Sequence, residues 1–382
     1  MNHEKYGEIL FLSTYPPRSC GIATFTQDLV RELKKTGLAE PRIVAVSDDD
    51  YDYPPEVVLT LNQDSPESYE VTAEKINASG AKALMVEHEY GIYGGEWGEY
   101  ILKLTGKLEI PYFVTLHTIL QNPDGKQRDI LSKLASKSSK VITMAENTVG
   151  TLKSIYGVDT AKIAVIPHGV PEFPFKDRDT LKNEFGCAGR FVVSTFGLLS
   201  PGKGLEYGID AIACTAKKYP QILYFILGKT HPVIKRSHGE EYRERLEKKV
   251  KDLGIENNVR FVNKYLTKEE IVNYLLLSDV YMTPYLGKEQ AVSGTLAYAA
   301  GYGKVIVSTP YIYAREMLGE GRGLLADFCS GESLAEKICY VIEHPEKQAE
   351  MERKMTEFGK PMMWNRVAQK YISAFHDALI SG

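Results

Sequence analysis

Short apolar runs recur along the chain with helix-length amphipathic stretches between them, and the alternation happens twice. In the first half, runs at 8–13, 43–47, 83–87, 112–116, 140–144 and 163–166 read as strands. After the first of these, Ile22, Phe25, Leu29 and Leu33 share one face of a helix over 22–35; Lys34 and Lys35 sit in its last turn and Gly37 ends it. From 167 to 179 the segment PHGVPEFPFKDRD loses periodicity and carries three prolines, which marks it as the linker candidate. A second half then repeats the scheme. Its strands are expected at 191–196, 222–227, 259–263, 279–284, 305–309 and 323–325, with a charged helix around 242–253 and a helix opened by Thr267, where Glu270 completes a capping box. Strand and helix in alternation make a parallel sheet covered on both faces. The expected fold class is therefore α/β, with two doubly wound parallel-sheet domains of Rossmann type.

Bulk properties narrow the picture only slightly. A chain of 382 residues exceeds the size at which one core stops growing, so two domains are expected. A net charge of −4 gives a nucleic-acid partner no support. The five cysteines, Cys20, Cys187, Cys214, Cys329 and Cys339, have no metal-like spacing, and so sparse a set suits a reducing compartment. The opening MNHEKYGEILFL lacks an apolar run of secretory type, so a cytoplasmic protein is expected, with membrane contact peripheral at most.

The chemistry gathers in loops that follow strands. After 279–284 comes a polar loop and then a helix over 294–300 with small side chains, placing Glu289, Ser293, Gly294 and Thr295 in the loop or in the helix's first turn. A helix amino end offers free N–H groups and a positive dipole end to an anion, while a carboxylate beside it suits sugar hydroxyls. A sugar phosphate would satisfy both. The loop GLLSPGKG at 197–204 brings Gly202 and Lys203 to a second helix start, without the spacing of a nucleotide-hydrolase loop, and the strand at 222–227 runs into Lys229, Thr230, His231, Lys235 and Arg236. In the first half, Arg18 and Gly21 precede a helix; Glu87, His88, Glu89 and Tyr90 open a loop rich in tyrosine and glycine; and His117 and Thr118 follow the strand at 112–116. All these loops fall at carboxyl strand ends, the edge where open α/β sheets bind ligands, and the aromatic cluster suits carbohydrate ring faces.

With these residues in view, the chain resembles the two-domain GT-B glycosyltransferases, and within them the retaining glycosyltransferase family 4. The likeness rests on STYPPRSCGIATFTQDLVREL, VTLHT, VIPHGV, FGLLSPGKGLEYGIDA, SDVYMTPYLGKEQ and AAGYGKVIVST, and it spans nearly the whole chain. It implies two Rossmann-like domains facing across a cleft: 1–170 on the acceptor side, 171–361 on the donor side, and a carboxyl-terminal helix over 362–382 crossing back to the first. It further implies that Gly21 lies near donor phosphate and acceptor, that His117 touches the donor sugar, that Lys203 neutralises the diphosphate, and that Glu289 contacts the transferred sugar as the first glutamate of a Glu-x7-Glu pattern. Two positions depart from the family. Leu198 stands where an arginine usually follows the glycine of the second domain's first loop, and the pattern's second glutamate falls on Ala297.

The function expected from this resemblance is transfer of a hexose from a nucleotide-diphosphate sugar to a carbohydrate or other hydroxyl acceptor, with retention and without a metal. His117, Glu289 and Lys203 are the expected catalytic residues. Gly21, Gly202, Lys229, His231, Arg236, Ser293, Gly294 and Thr295 are assigned to the donor and its phosphates; Arg18, His88, Glu89 and Tyr90 to the acceptor. No cofactor is expected beyond the nucleotide-sugar substrate, and no nucleic-acid partner. Glu87 and Glu89 are not paired as in a glycoside hydrolase, and Asp48, Asp49 and Asp50 read as a solvated turn. Leu198 and Ala297 keep two alternatives open: a phosphorylase or transferase using a sugar phosphate on the same scaffold, and a sugar-nucleotide or glycan binder without turnover.

Overall fold

The computed structural model describes residues 6–379; residues 380–382 of the expected terminal helix and residues 1–5 lie outside it. The chain forms two compact units, one holding 6–169 together with 362–379, the other Val170–Pro361.

The first unit is built on seven parallel strands: β1 Gly7–Ser13, β2 Ala39–Ser47, β3 Val57–Asn62, β4 Ala83–His88, β5 Tyr112–Leu116, β6 Lys140–Thr143 and β7 Ile163–Val165, in the order β3-β2-β1-β4-β5-β6-β7. Every residue of β4 and β5 is buried, as continuous apolar strands covered on both faces must be. The edge strand β3 has no counterpart in the sequence-based expectation, because its outward residues are exposed and its alternation is short. Strand order reverses between β1 and β4, so the connections after those two strands leave in opposite directions and open a crevice at their carboxyl ends.

Two helices close one face of this sheet. Helix Gly21–Thr36 turns Ala23, Phe25, Leu29, Val30 and Leu33 inward and stops at Gly37, whose left-handed φ of 68° lets its N–H reach the carbonyl of Lys34. The terminal helix Trp364–Leu379 packs on it, with Val367, Ala368, Tyr371 and Phe375 buried. Phe375 meets Phe113 of β5 edge-on at 5.0 Å, and the Tyr371 and Thr115 hydroxyls pair at 3.1 Å. Burying each such large side chain contributes roughly 1.5–3 kcal/mol. Gly169 lies against this helix so closely that an added Cβ would stand 2.1 Å from the Trp364 ring.

The second unit repeats the design with β8 Phe191–Phe196, β9 Ile222–Leu227, β10 Val259–Val262, β11 Val280–Thr283, β12 Val305–Ser308 and β13 Leu324–Leu325, ordered β10-β9-β8-β11-β12-β13. Its reversal falls between β8 and β11. Val193, Ile209, Ile212, Tyr224, Ile226, Val280 and Met282 belong to one apolar core. The Thr267 and Glu270 capping box is present at helix Lys268–Leu277. Residues Pro232–His238, read from sequence as a basic loop, form a short helix, since Pro232 at its start lacks only an N–H that the first turn does not use.

At the amino ends of these strands lies a knot of charge. Asp279 accepts from Lys182 Nζ at 2.7 Å and from the Val192 N–H at 2.7 Å, while Arg178 bridges Asp279 and Glu352. Lys304 is buried beside them, its ammonium bonded among the described residues to the Leu276 carbonyl at 3.5 Å alone, and burial, aided by Arg178, lowers it to about 7.

A lysine whose folded value falls below its unfolded value of 10.5 leaves the unfolded chain binding more protons in between, so stability rises with pH from about 7 to 10.5. Lys304→Met should raise stability at pH 7 by about 1–3 kcal/mol and flatten that rise, as read from urea unfolding across the range. Gly169→Ala should cost about 1–3 kcal/mol in the same assay, because the Trp364 ring must move.

Candidate functional site

In the second unit, three loops are locked together at the carboxyl ends of β9, β8 and β11. An added Cβ on Gly228, after β9, would stand 2.0 Å from the Gly197 carbonyl; one on Gly204 would stand 2.2 Å from the carbonyl of Pro284. Only glycine allows either approach. The loop after β8 is tied to that after β9 by Leu199 N–H to Lys229 O at 2.8 Å and His231 N–H to Leu199 O at 2.9 Å, and to that after β11 by Leu286 N–H to Gly202 O at 3.0 Å.

These ties gather chemistry. Lys203 Nζ sits 3.8 Å over the ring of Tyr285, whose hydroxyl pairs with Thr295 Oγ1 at 2.7 Å. Tyr285 is held from below by stacking on Tyr311 at 5.6 Å. Thr295 lies in the first turn of helix Gly294–Gly301, which Ser293 caps by accepting from the Leu296 N–H at 3.3 Å. His231 is held below the ordinary histidine range by burial and then by the nearby positive charges of Lys203 and Arg236. Lys203, His231, Arg236, Ser293, Gly294 and Thr295 are thus on one edge, with Gly202 in the turn before Lys203 and Glu289 in the loop leading to Ser293. Lys229 joins by its backbone and its side chain is exposed; Lys235 is drawn to Glu240 at 2.9 Å. Ala297 is fully buried in the helix.

Two residues of this edge were not picked out from sequence. Tyr285, the platform under Lys203, follows the strand end directly and its position was the available signal. Arg243 is 3% exposed and donates from Nη2 to the Gly228 carbonyl at 2.7 Å, bracing the loop after β9 from a helix 13 residues away. Nothing local distinguishes it from the other charges of that helix.

The first unit presents a different chemistry at its own reversal point. His117 Nε2 lies 2.8 Å from Glu87 Oε2, both side chains being buried. This contact fixes the orientation of the imidazole ring, with Nδ1 as the nitrogen away from Glu87. Phe25, from the first helix, packs edge-on against His117 at 4.8 Å and against His168 at 5.2 Å. His168, from the VIPHGV segment, was not nominated from sequence. Burial lowers it to about 4, despite the Gly169 carbonyl 2.8 Å from Nδ1.

The remaining residues of this edge divide. Gly21 begins its helix with open space where a Cβ would be. Arg18 is turned to the end of β2, donating to the Val46 carbonyl at 3.1 Å and pairing with Asp48 at 3.3 Å. His88 is entirely buried between Tyr90 and Tyr93, lowered to about 3 by burial first, and neither ring nitrogen has a partner among the described residues. As placed, it reaches no ligand. Glu89 accepts from the Tyr90 N–H at 2.9 Å and from Thr118 Oγ1 at 2.5 Å, and together with Tyr90 and Thr118 it lines an open hollow. Among the described residues no group of three or more His, Cys, Asp or Glu could hold a metal ion, and no helix is long and apolar enough to cross a membrane.

Residues 20–172 match the model of a family described as Glycosyltransferase Family 4, and 177–358 that of Glycosyl transferases group 1. No curated protein matches. Among solved structures the chain is similar to Anabaena HepE in complex with UDP, at 18% identity and a TM-score of 0.79, covering 97% of this chain and 100% of that one. The same protein in complex with UDP-glucose superposes with a TM-score of 0.71, over 96% and 99% of the two chains at 18% identity. Sucrose-phosphate synthase from Thermosynechococcus elongatus is 14% identical, with a TM-score of 0.79 over 98% and 100%. At such identities the likeness shows the fold, which is GT-B.

His88, fully buried, and His168, half-buried against Phe25, should stay neutral down to about pH 5, so ring resonances followed by NMR should not move between pH 8 and 5; a midpoint near 6.5 for either would contradict its desolvation. Both folded values lie below the unfolded one, so the unfolded chain binds the extra protons and stability should fall as pH drops below about 6.5.

Proposed function

We propose that this chain, which belongs to the GT-B glycosyltransferases of group 1 and family 4, moves a hexose from a nucleotide-diphosphate sugar to a hydroxyl acceptor with retention. The observation that carries this is the convergence in the second unit of Lys203, His231 and the Ser293-capped helix on one edge. Such a set neutralises a diphosphate as it gains charge on leaving, and its polar groups are fixed before the reaction begins. Glu289, in the loop between, takes hydroxyls of the sugar.

In this scheme the bond from the anomeric carbon to the phosphate oxygen breaks and a bond to the acceptor oxygen forms on the same face. The acceptor's proton passes to the departing phosphate. The first unit supplies the acceptor side, with His117 oriented by Glu87 so that Nδ1, the nitrogen away from the carboxylate, is the one to meet a sugar hydroxyl. The complexes of Anabaena HepE with UDP and UDP-glucose support a uridine nucleotide as the first donor to try. Leu198 and the buried Ala297 favour a second reading, in which a sugar phosphate or inorganic phosphate takes the place of the nucleotide.

Thermal unfolding with UDP, UDP-glucose, glucose 1-phosphate and phosphate separates the two. A nucleotide at a hundred times its Kd should stabilise the chain by about 2.7 kcal/mol. Lys203→Ala should weaken UDP binding by about ten- to a hundredfold, the worth of a hydrogen bond to a charged group. Glu289→Gln should keep the UDP response and lose most turnover of UDP-glucose. Stabilisation by glucose 1-phosphate or phosphate with no response to either nucleotide would instead establish the second reading.

A further inference from the structure

The loop that follows β4 holds a feature the scheme above does not use. Trp97 adopts φ 57° and ψ 25°, the left-handed region that a bulky side chain rarely enters, yet its side chain is 43% exposed. Strain of this kind persists only where the surroundings impose it, and it gathers at functional sites. Here the surroundings are plain. Gly94 passes so close to β3 that a Cβ would stand 1.9 Å from the Gln63 carbonyl, and its N–H donates to Tyr69 Oη at 2.8 Å. Gly98 is pinned under the Tyr90 carbonyl, Tyr93 Oη donates to the Glu87 carbonyl at 2.8 Å, and Lys126 clamps Glu96 and Glu99 at 2.7 and 2.9 Å. A rigid loop therefore presents an indole to solvent in a backbone conformation that glycine would adopt without cost.

Trp97 forms one wall of a hollow of about 550 Å³, with Gln63, Asp64, Glu89, Tyr90 and Thr118 among the others. An exposed aromatic face beside two carboxylates matches a pyranose, whose C–H face stacks on a ring while its hydroxyls donate to oxygens. A phosphate would meet two carboxylates and no cation among the residues that line the hollow.

We propose that this hollow is the acceptor subsite and that its occupant is a carbohydrate ring stacked on Trp97, with hydroxyls donating to Asp64 and Glu89. The proposal rests on the transferase reading and makes it narrower: the hydroxyl acceptor is a saccharide.

Of the chain's two tryptophans, Trp364 is buried, so emission from an exposed indole reports Trp97 alone. Maltotriose, cellotriose, mannotriose and chitotriose would be titrated into the full chain, each to about 10 mM, an affinity range open to a single stacked ring. At least one should change the emission and protect it from acrylamide. Calorimetry with that sugar should show binding about tenfold weaker for Trp97→Ala and largely kept for Trp97→Phe, since the face contact is what is lost. Trp97→Gly should not lower the melting temperature but should weaken sugar binding as Trp97→Ala does, a pairing that a purely structural role would not produce. UDP is the control for the second unit. If UDP stabilises the chain and none of the four sugars alters emission, or if Trp97→Ala binds sugar as the parent does, the subsite is refuted and the transferase reading stands. Failure of UDP, UDP-glucose, glucose 1-phosphate and phosphate alike to stabilise would remove the reading beneath it.

Discussion

The close approach of backbone to backbone at Gly228 and Gly204 is the constraint on which the second unit's site depends. In a parallel sheet, the loops at the carboxyl edge are joined to their strands only at one end and would otherwise spread apart over the reversal point between β8 and β11. Contact between main chains removes that freedom. Once the three loops are locked, Lys203 has a fixed platform in Tyr285 and His231 feels its charge. A site that must stabilise charge developing on a leaving group gains most from groups that need no rearrangement.

The two units solve different electrostatic problems with one architecture. At the reversal point of the second, cations and helix N–H groups gather where an anion can be met. At that of the first, burial keeps His88 and His168 neutral, and the ring of Phe25 packs between His117 and His168. A neutral imidazole offers a phosphate no charge, and His88, sealed from solvent, meets no ligand as placed. The charge knot of Asp279, Lys182, Arg178 and Glu352 stands at the opposite, amino edge of the second sheet, where it holds strand ends and leaves the binding edge to other groups.

Strain is also spent unevenly. Most left-handed residues among those described are glycines, but Trp97 is not, and the loop that forces it is tied down by Tyr93, Tyr69 and Lys126. A stacking platform is useful to the extent that it does not move, because an indole free to reorient would lose that freedom on each binding event. Tyr285 under Lys203 follows the same logic, held by Tyr311 below and Thr295 beside it.

The sequence by itself determined the two parallel sheets, most of their strands, the Thr267 capping box and the loops that carry charge, because apolar period, glycine and capping residues act locally. It was blind to β3, whose exposed edge carries no strong pattern, and to the helix at Pro232–His238, where a basic run hid a helix start. Arg18 illustrates a subtler limit: its place before a helix suggested an anion, but Asp48 at the end of the neighbouring strand takes it. His88, Arg243 and Trp97 show the same thing from other sides, since burial, bracing and forced exposure depend on segments up to dozens of residues distant. Local spacing records which residues share a loop; only the packed sheet decides which loops touch, because that contact is made by backbones whose nearness no single segment encodes.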